Sequence, residues 1–246
     1  MDKKRTTITI DYQNMMLCGW DAYTDRRKSP YDAMIDPVKL SQIIVSKIDD
    51  AVLSKITICR GIPDAARTSY WYDREQARTW ERRGDEIGVP TVVRTQNMTY
   101  KEDGSMQEKS VDIDCALQFV EDARNDDYDI SILCTHDVDF KPALQLASKL
   151  GDGRQAVWTS GEHLTFYPIQ WDTDDDIRAI PLSSDDWHAC IDDTDWSYAL
   201  ADMPDTRTHY EKMASMLKNT KDSRMNAIRD IIGDSNENKN TAERAY

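Results

Sequence analysis

The chain has 246 residues, and its 31 Lys and Arg stand against 45 Asp and Glu for a formal net charge of −14. That length suits one α/β domain with an extension or two small domains, and that sign excludes coating DNA or an anionic membrane by bulk attraction. The cysteines Cys18, Cys59, Cys115, Cys134 and Cys190 show no CxxC spacing and read as free thiols in a reducing, cytoplasmic setting. Met1-Asp2-Lys3-Lys4-Arg5 leads into a polar-alternating strand, and no apolar run has the length of a signal peptide core or a membrane span.

Thr6 to Ile10 is a β-rich run that ends directly in Asp11, with Asn14 three residues on. An Asx-turn closing the strand would account for Asp11 taken alone. Residues 17 to 36 are polar and read as a loop over the sheet edge. Asp36-Pro37 then opens a helix with Val38, Leu40, Ile43, Ile44 and Ile48 on its inner face. Lys55 to Cys59 is a second strand. The next helix, over residues 65 to 83, carries Arg67, Trp71, Arg74, Arg78 and Arg82 three or four apart, on one stripe, with Tyr70, Tyr72 and Trp80 nearby. Arginines among aromatics suit a surface that follows phosphates and stacks bases. An ordinary solvated face, with Asp73, Glu75 and Glu81 pairing locally, accounts for the same stripe.

Val89 to Arg94 is a third strand, and Asp103-Gly104 marks a turn. Ser110 is then placed to cap a helix whose buried stripe is predicted as Ile113, Ala116, Leu117 and Val120, with Asp112 in the first turn. Asp114 falls about 200° further round and points elsewhere. Ile130, Ile132, Leu133 and Cys134 read as a strand buried on both faces, and the chain breaks at Thr135-His136-Asp137-Val138-Asp139-Phe140 before a helix with Pro142 in its first turn. In an open parallel sheet, ligands bind beyond the carboxyl ends of the strands, where Asp137 and Asp139 lie. Capping of the helix start explains this pair as well as ligation does. Gln155 to Trp158 is a fifth strand, with Phe166 to Ile169 and Ala179-Ile180 as edge pieces. Residues 172 to 205 hold eleven Asp against the single Arg178 and read as a solubilising acidic loop. An amphipathic helix is predicted over residues 208 to 232, a candidate surface for homo-oligomer formation, before a polar, disordered tail.

The joint pattern says more than its parts. Asp11, Asn14, Asp112, Asp137 and Asp139 can meet at one mouth of a doubly wound sheet. Four carboxylates there would repel one another without cations, and all-oxygen ligands favour Mg²⁺ or Mn²⁺. This is equipment for phosphodiester hydrolysis.

At these residues the chain resembles the NYN domain of the PIN-like ribonuclease superfamily, in its LabA/DUF88-like branch. Asp11-Tyr12-Gln13-Asn14 resembles the family's D-x-x-N, Glu108 to Asp112 its E-K-G-V-D, and Thr135 to Phe140 its S/T-x-D-x-D-F. The resemblance covers roughly residues 5 to 165. It implies a three-layer α/β/α sandwich on a parallel sheet of about five strands, a domain over residues 1–181, and a C-terminal extension over 182–246. It also implies Asp11, Asp112, Asp137 and Asp139 as metal-binding acids, with Asn14 orienting metal or phosphate. Arg74, Arg78, Arg82, Lys109 and Thr135 are the expected substrate contacts. The implied activity is a metal-dependent endoribonuclease leaving 5′-phosphate and 3′-hydroxyl ends, with RNA as partner and no membrane. The alternative is a catalytically weak NYN module that binds RNA or a protein. Ser110 stands where the family has glycine, and Gln118 where many relatives carry another acid.

Overall fold

The computed structural model describes residues 3–24, 34–64, 68–100, 106–107, 110–150, 155–161 and 177–196. Arg67, Lys109, the Asp103-Gly104 turn, the edge piece at 166–169 and the helix and tail expected after 208 lie outside these residues. In chain order the elements are β1 (Lys4–Asp11), α1 (Tyr12–Tyr23), α2 (Pro37–Ser46), β2 (Ala51–Ile62), α3 (Thr68–Glu86), β3 (Thr91–Asn97) and the short strands β4 (Thr99–Tyr100) and β5 (Met106–Gln107). There follow α4 (Val111–Arg124), β6 (Ile130–Cys134), a 3₁₀ turn (Val138–Phe140), α5 (Lys141–Lys149), β7 (Gln155–Gly161), β8 (Ile177–Leu182) and α6 (Ser184–Ala189).

The main sheet has six parallel strands in the order β3-β2-β1-β6-β7-β8, one more than expected. Alternation along β1 sorts its side chains. Ile8 and Ile10 enter a core with Met15 of α1, Ile44 of α2, Trp80 of α3 and Trp187 of α6. The opposite phase carries Thr7, Thr9 and Asp11, and Thr7 donates to Asp122 of α4 at 3.1 Å. On that second face Leu133 and Cys59 pack with Val111, Cys115 and Phe119 of α4 and Phe140, Leu144 and Ala147 around α5. The result is an α/β/α sandwich. Chain direction across the sheet reverses between β1 and β6, which makes their carboxyl ends the switch point where ligands bind in this class of sheet.

Four local expectations change. Residues 17–23, expected as the start of a loop, continue helix α1, in which Tyr12, Met15, Met16 and Gly19 are buried at helical spacing. The second correction concerns α4, which buries Val111, Cys115, Phe119, Asp122 and Ala123 and leaves Ile113 at 64% and Leu117 at 65% exposed. Its inner face is therefore turned from the one expected, because buried Asp122 counts toward it: Lys55 pairs with that carboxylate at 2.7 Å, and Thr7 and Gln118 donate to it. Third, Ser110 makes no side-chain cap bond and holds a left-handed φ of 68°. Finally, residues 183–196 are not a solvated loop. Asp36, which caps α2 by accepting from Val38 and Lys39, donates its N–H to the Cys190 carbonyl at 2.7 Å, and Arg83 pairs with both Asp36 and Asp192. Trp187 is 2% exposed, and the compact unit runs to Ala201. All five cysteines are free, and no described helix is long and apolar enough to cross a membrane.

Candidate active site at the sheet reversal

Parallel strands and short connections bring three sequence-distant segments to the β1/β6 mouth. Asp11 is the last residue of β1, 3% exposed, and precedes α1. Asn14 follows in the first turn. From β6 the chain leaves through Thr135, which is 0% exposed and acts as the hub. Its hydroxyl lies 3.1 Å from Asp11 Oδ2 and 3.4 Å from Asn14 Oδ1, and it accepts the Asp137 N–H at 3.1 Å. The His136 N–H donates to Asn14 Oδ1 at 2.7 Å, closing the link between the two strand ends. Asp137 then caps the 3₁₀ turn by accepting the Asp139 N–H at 2.9 Å, and buried Phe140 anchors that turn. Thr135 is wholly buried, and its hydroxyl supports Asp137 by accepting that residue's N–H.

Asp112 reaches the same mouth from α4. Its carboxyl is pushed above the usual carboxylate range by partial burial first, then by the charges of Asp137 and Asp139. Those two partners place the three acids in one electrostatic neighbourhood. Asp114 faces away, as expected. Arg94 of β3 grips it with both Nε, at 2.8 Å, and Nη2, and holds its carboxyl below the usual range. The slot of Gln118 does not serve the mouth either: its amide donates to Asp122 at 3.1 Å. Sequence reasoning missed Cys18, whose thiol faces Asn14 Oδ1 at 4.0 Å and is pushed up to about 11 by burial, then by Asp11, Asp21 and Asp137. It missed His136 as well, which burial lowers to about 4, so the ring is neutral near pH 7.

Among the described residues no group of three or more His, Cys, Asp and Glu is arranged so that it could hold a metal ion. The donor set nonetheless fits Mg²⁺ or Mn²⁺: hard carboxylate and amide oxygens, few in number, suit an ion that keeps most of its waters and binds through one or two carboxylates.

The arginine stripe is exposed and weakly held. Arg74 lies 5.9 Å over each of the Tyr70 and Trp71 rings. Arg78 and Arg82 make only long ion pairs, 3.8 Å to Glu75 and 3.9 Å to Glu86. It rides on α3, on the opposite face of the sheet from α4. By contrast Arg60 is buried over Tyr12 and Trp80 and paired to Asp73, a structural tie between β2 and α3.

A sequence model described as the NYN domain matches residues 5–164, and all the mouth residues fall inside that span. No curated protein and no solved structure matches the chain.

Proposed function

The chain belongs to the NYN domain family, within the PIN-like nuclease superfamily, and from that premise we propose that it is a metal-dependent endoribonuclease acting at the β1/β6 mouth. The observation that carries the reading is the Thr135 hub, which ties Asp11, Asn14 and Asp137 into one hydrogen-bonded set at the sheet reversal. Asp11, Asp112, Asp137 and Asp139 would hold Mg²⁺ or Mn²⁺, and a bound cation supplies positive charge to the phosphate and acidifies the attacking water. Asn14 commits its carbonyl oxygen to the His136 N–H, which leaves the amide N–H pair as the group for a phosphate oxygen. The amino ends of α1, α4 and α5 face the mouth, because each helix runs back from the carboxyl edge of the parallel sheet, and their dipoles favour an anionic backbone. Hydrolysis by water leaves 5′-phosphate and 3′-hydroxyl ends.

Asp137→Asn tests this. Asn caps as well as Asp, so the 3₁₀ turn keeps its acceptor while the mouth loses one charge. Wild type should gain about 2.7 kcal/mol of stability at a hundredfold excess of Mn²⁺ over its dissociation constant, which is roughly 5–10 °C in melting temperature. Asp137→Asn should gain far less, should melt at or above wild type in EDTA, and should not cleave a panel of tRNA, rRNA and single-stranded DNA. A wild-type melt that Mn²⁺ does not move, with no RNA cleaved, leaves a non-catalytic binding module.

A further inference from the structure

The NYN match ends at residue 164, yet β8 and α6 lie beyond it and pack directly behind the helix that carries Asn14. α6 forms through local chemistry: the Ser183 hydroxyl accepts the Asp186 N–H at 3.2 Å, while the Asp186 carboxylate accepts the Ser183 N–H at 2.8 Å. Lys47 pins the same carboxylate at 2.7 Å. This fixes Trp187 pointing into the core against α1. The fit leaves no slack, since a Cβ on Gly19 would lie 2.2 Å from the Trp187 ring. Tyr23, one turn further along α1, donates its hydroxyl to the Leu182 carbonyl of β8 at 2.6 Å and sits 6.3 Å from the Trp187 ring. Between these groups is a small void lined by Met15, Cys18, Gly19, His136 and Trp187 among others. Its walls therefore include Cys18, which contacts Asn14, and His136, whose N–H holds the Asn14 carbonyl.

We infer that residues 177–196 complete the site-bearing half of the domain, and that Trp187 is a positioning residue: it sets the depth of α1, and so the Asn14–His136 bond at the mouth. On the other side the segment is strapped to the α2 cap through the Ile35–Ile191 bridge, the Asp192 N–H to the Met34 carbonyl at 2.7 Å, and Arg83. Trp187 thus transmits a fixed reference rather than resting on a loose tail. The catalytic arm of the test rests on the nuclease reading; the exchange arm does not.

The test pushes the contact from both sides. Gly19→Ala adds a methyl that the Trp187 ring cannot admit, and Trp187→Phe shortens the ring that it meets. Gly19→Ala should speed amide exchange across Asn14 to Cys18, leave exchange in α4 unchanged, and lower kcat for RNA by roughly tenfold or more with KM little altered, since a misplacement of about 1 Å can cost up to 10²-fold. The double variant Gly19→Ala with Trp187→Phe should restore both toward wild type. Two results overturn the inference: exchange at Asn14 to Cys18 that stays at the wild-type rate in Gly19→Ala, or a double variant no better than Gly19→Ala alone. If Gly19→Ala does not fold, Trp187→Phe and Trp187→Leu decide by the same exchange readout. If wild type cleaves no RNA, the nuclease reading fails while the exchange and rescue measurements still judge Trp187.

Discussion

Replacing Ser110 by glycine should stabilise the protein, an outcome the sequence reading would not give. Ser110 stands before α4 with φ 68° and ψ 2°, exposed, and without a side-chain cap bond. A left-handed conformation costs an L-residue about 1–2 kcal/mol, and glycine escapes that cost while adding roughly 0.5–1 kcal/mol of unfolded-chain entropy. The net expectation for Ser110→Gly is a gain of about 0.5–1 kcal/mol, or roughly 1–4 °C in melting temperature. Ser110→Ala separates this from capping. An alanine keeps the strain and loses no hydrogen bond, so its stability should stay within about 0.5 kcal/mol of wild type. A serine that truly capped α4 would lose about 1 kcal/mol on the same change. Urea titration with an unchanged slope is the check. A destabilised Ser110→Gly, or an Ala variant down by a full cap, would refute the backbone account. The position matters to the mouth because Asp112 follows two residues later.

Two further outcomes are expected. Asp112 has a folded-state pKa above its unfolded one, so the folded protein binds that proton more tightly, and stability contributed by it falls as pH rises from the ordinary carboxylate range through the raised value. In EDTA, Asp112→Asn should remove that part of the fall; melting curves from pH 3 to 7 that keep the wild-type slope would count against shared repulsion with Asp137 and Asp139. Along α3, which starts at the carboxyl edge of the sheet, Arg74, Arg78 and Arg82 recede from that edge by about 6 Å per step, so alanine at Arg74 should weaken RNA binding most and at Arg82 least, with salt slopes changed by about one unit or less each. Equal losses, or the reverse order, would return the stripe to an ordinary solvated face.

The sheet was legible because its strands are short apolar runs ending in turn residues, and Asp36-Pro37 announces its helix with both cap and N1 proline. What could not be read locally is what long-range contacts decide. The second half of α1 read as part of a polar loop over residues 17 to 36; only the Trp187 ring, far along the chain, explains the glycine at position 19. In α4 apolar residues occur on more than one side, so periodicity could not choose the phase. The deciding residue is a carboxylate, Asp122, buried because Lys55 and Thr7 come to it from β2 and β1. The aspartates of residues 172 to 205 hid Trp187, Cys190 and Trp196, all buried, while Asp186 and Asp192 find Lys47 and Arg83 from the first half of the chain.

Local backbone chemistry, an Asx-turn for Asp11 and capping for Asp137 and Asp139, was a sufficient explanation while only the sequence was in view, and the structure separates the acids on this point. Asp137 does cap, by accepting the Asp139 N–H, so helix chemistry alone would justify it. Asp11 does not. It occupies the N-cap position of α1 at 3% exposure, yet makes no side-chain cap bond, and takes the Thr135 hydroxyl instead. A buried carboxylate is costly unless it is hydrogen-bonded and positive charge approaches it. The amino end of α1 adds a fixed positive potential there, equivalent to about half a charge. On the proposed reading Asp11 would be an oxygen donor at the sheet reversal, where a divalent cation would add positive charge to a buried carboxylate. On the proposed reading the overall charge of −14 is no obstacle to a phosphate-bearing substrate, since what the substrate would meet locally is the cation and the amino ends of α1, α4 and α5.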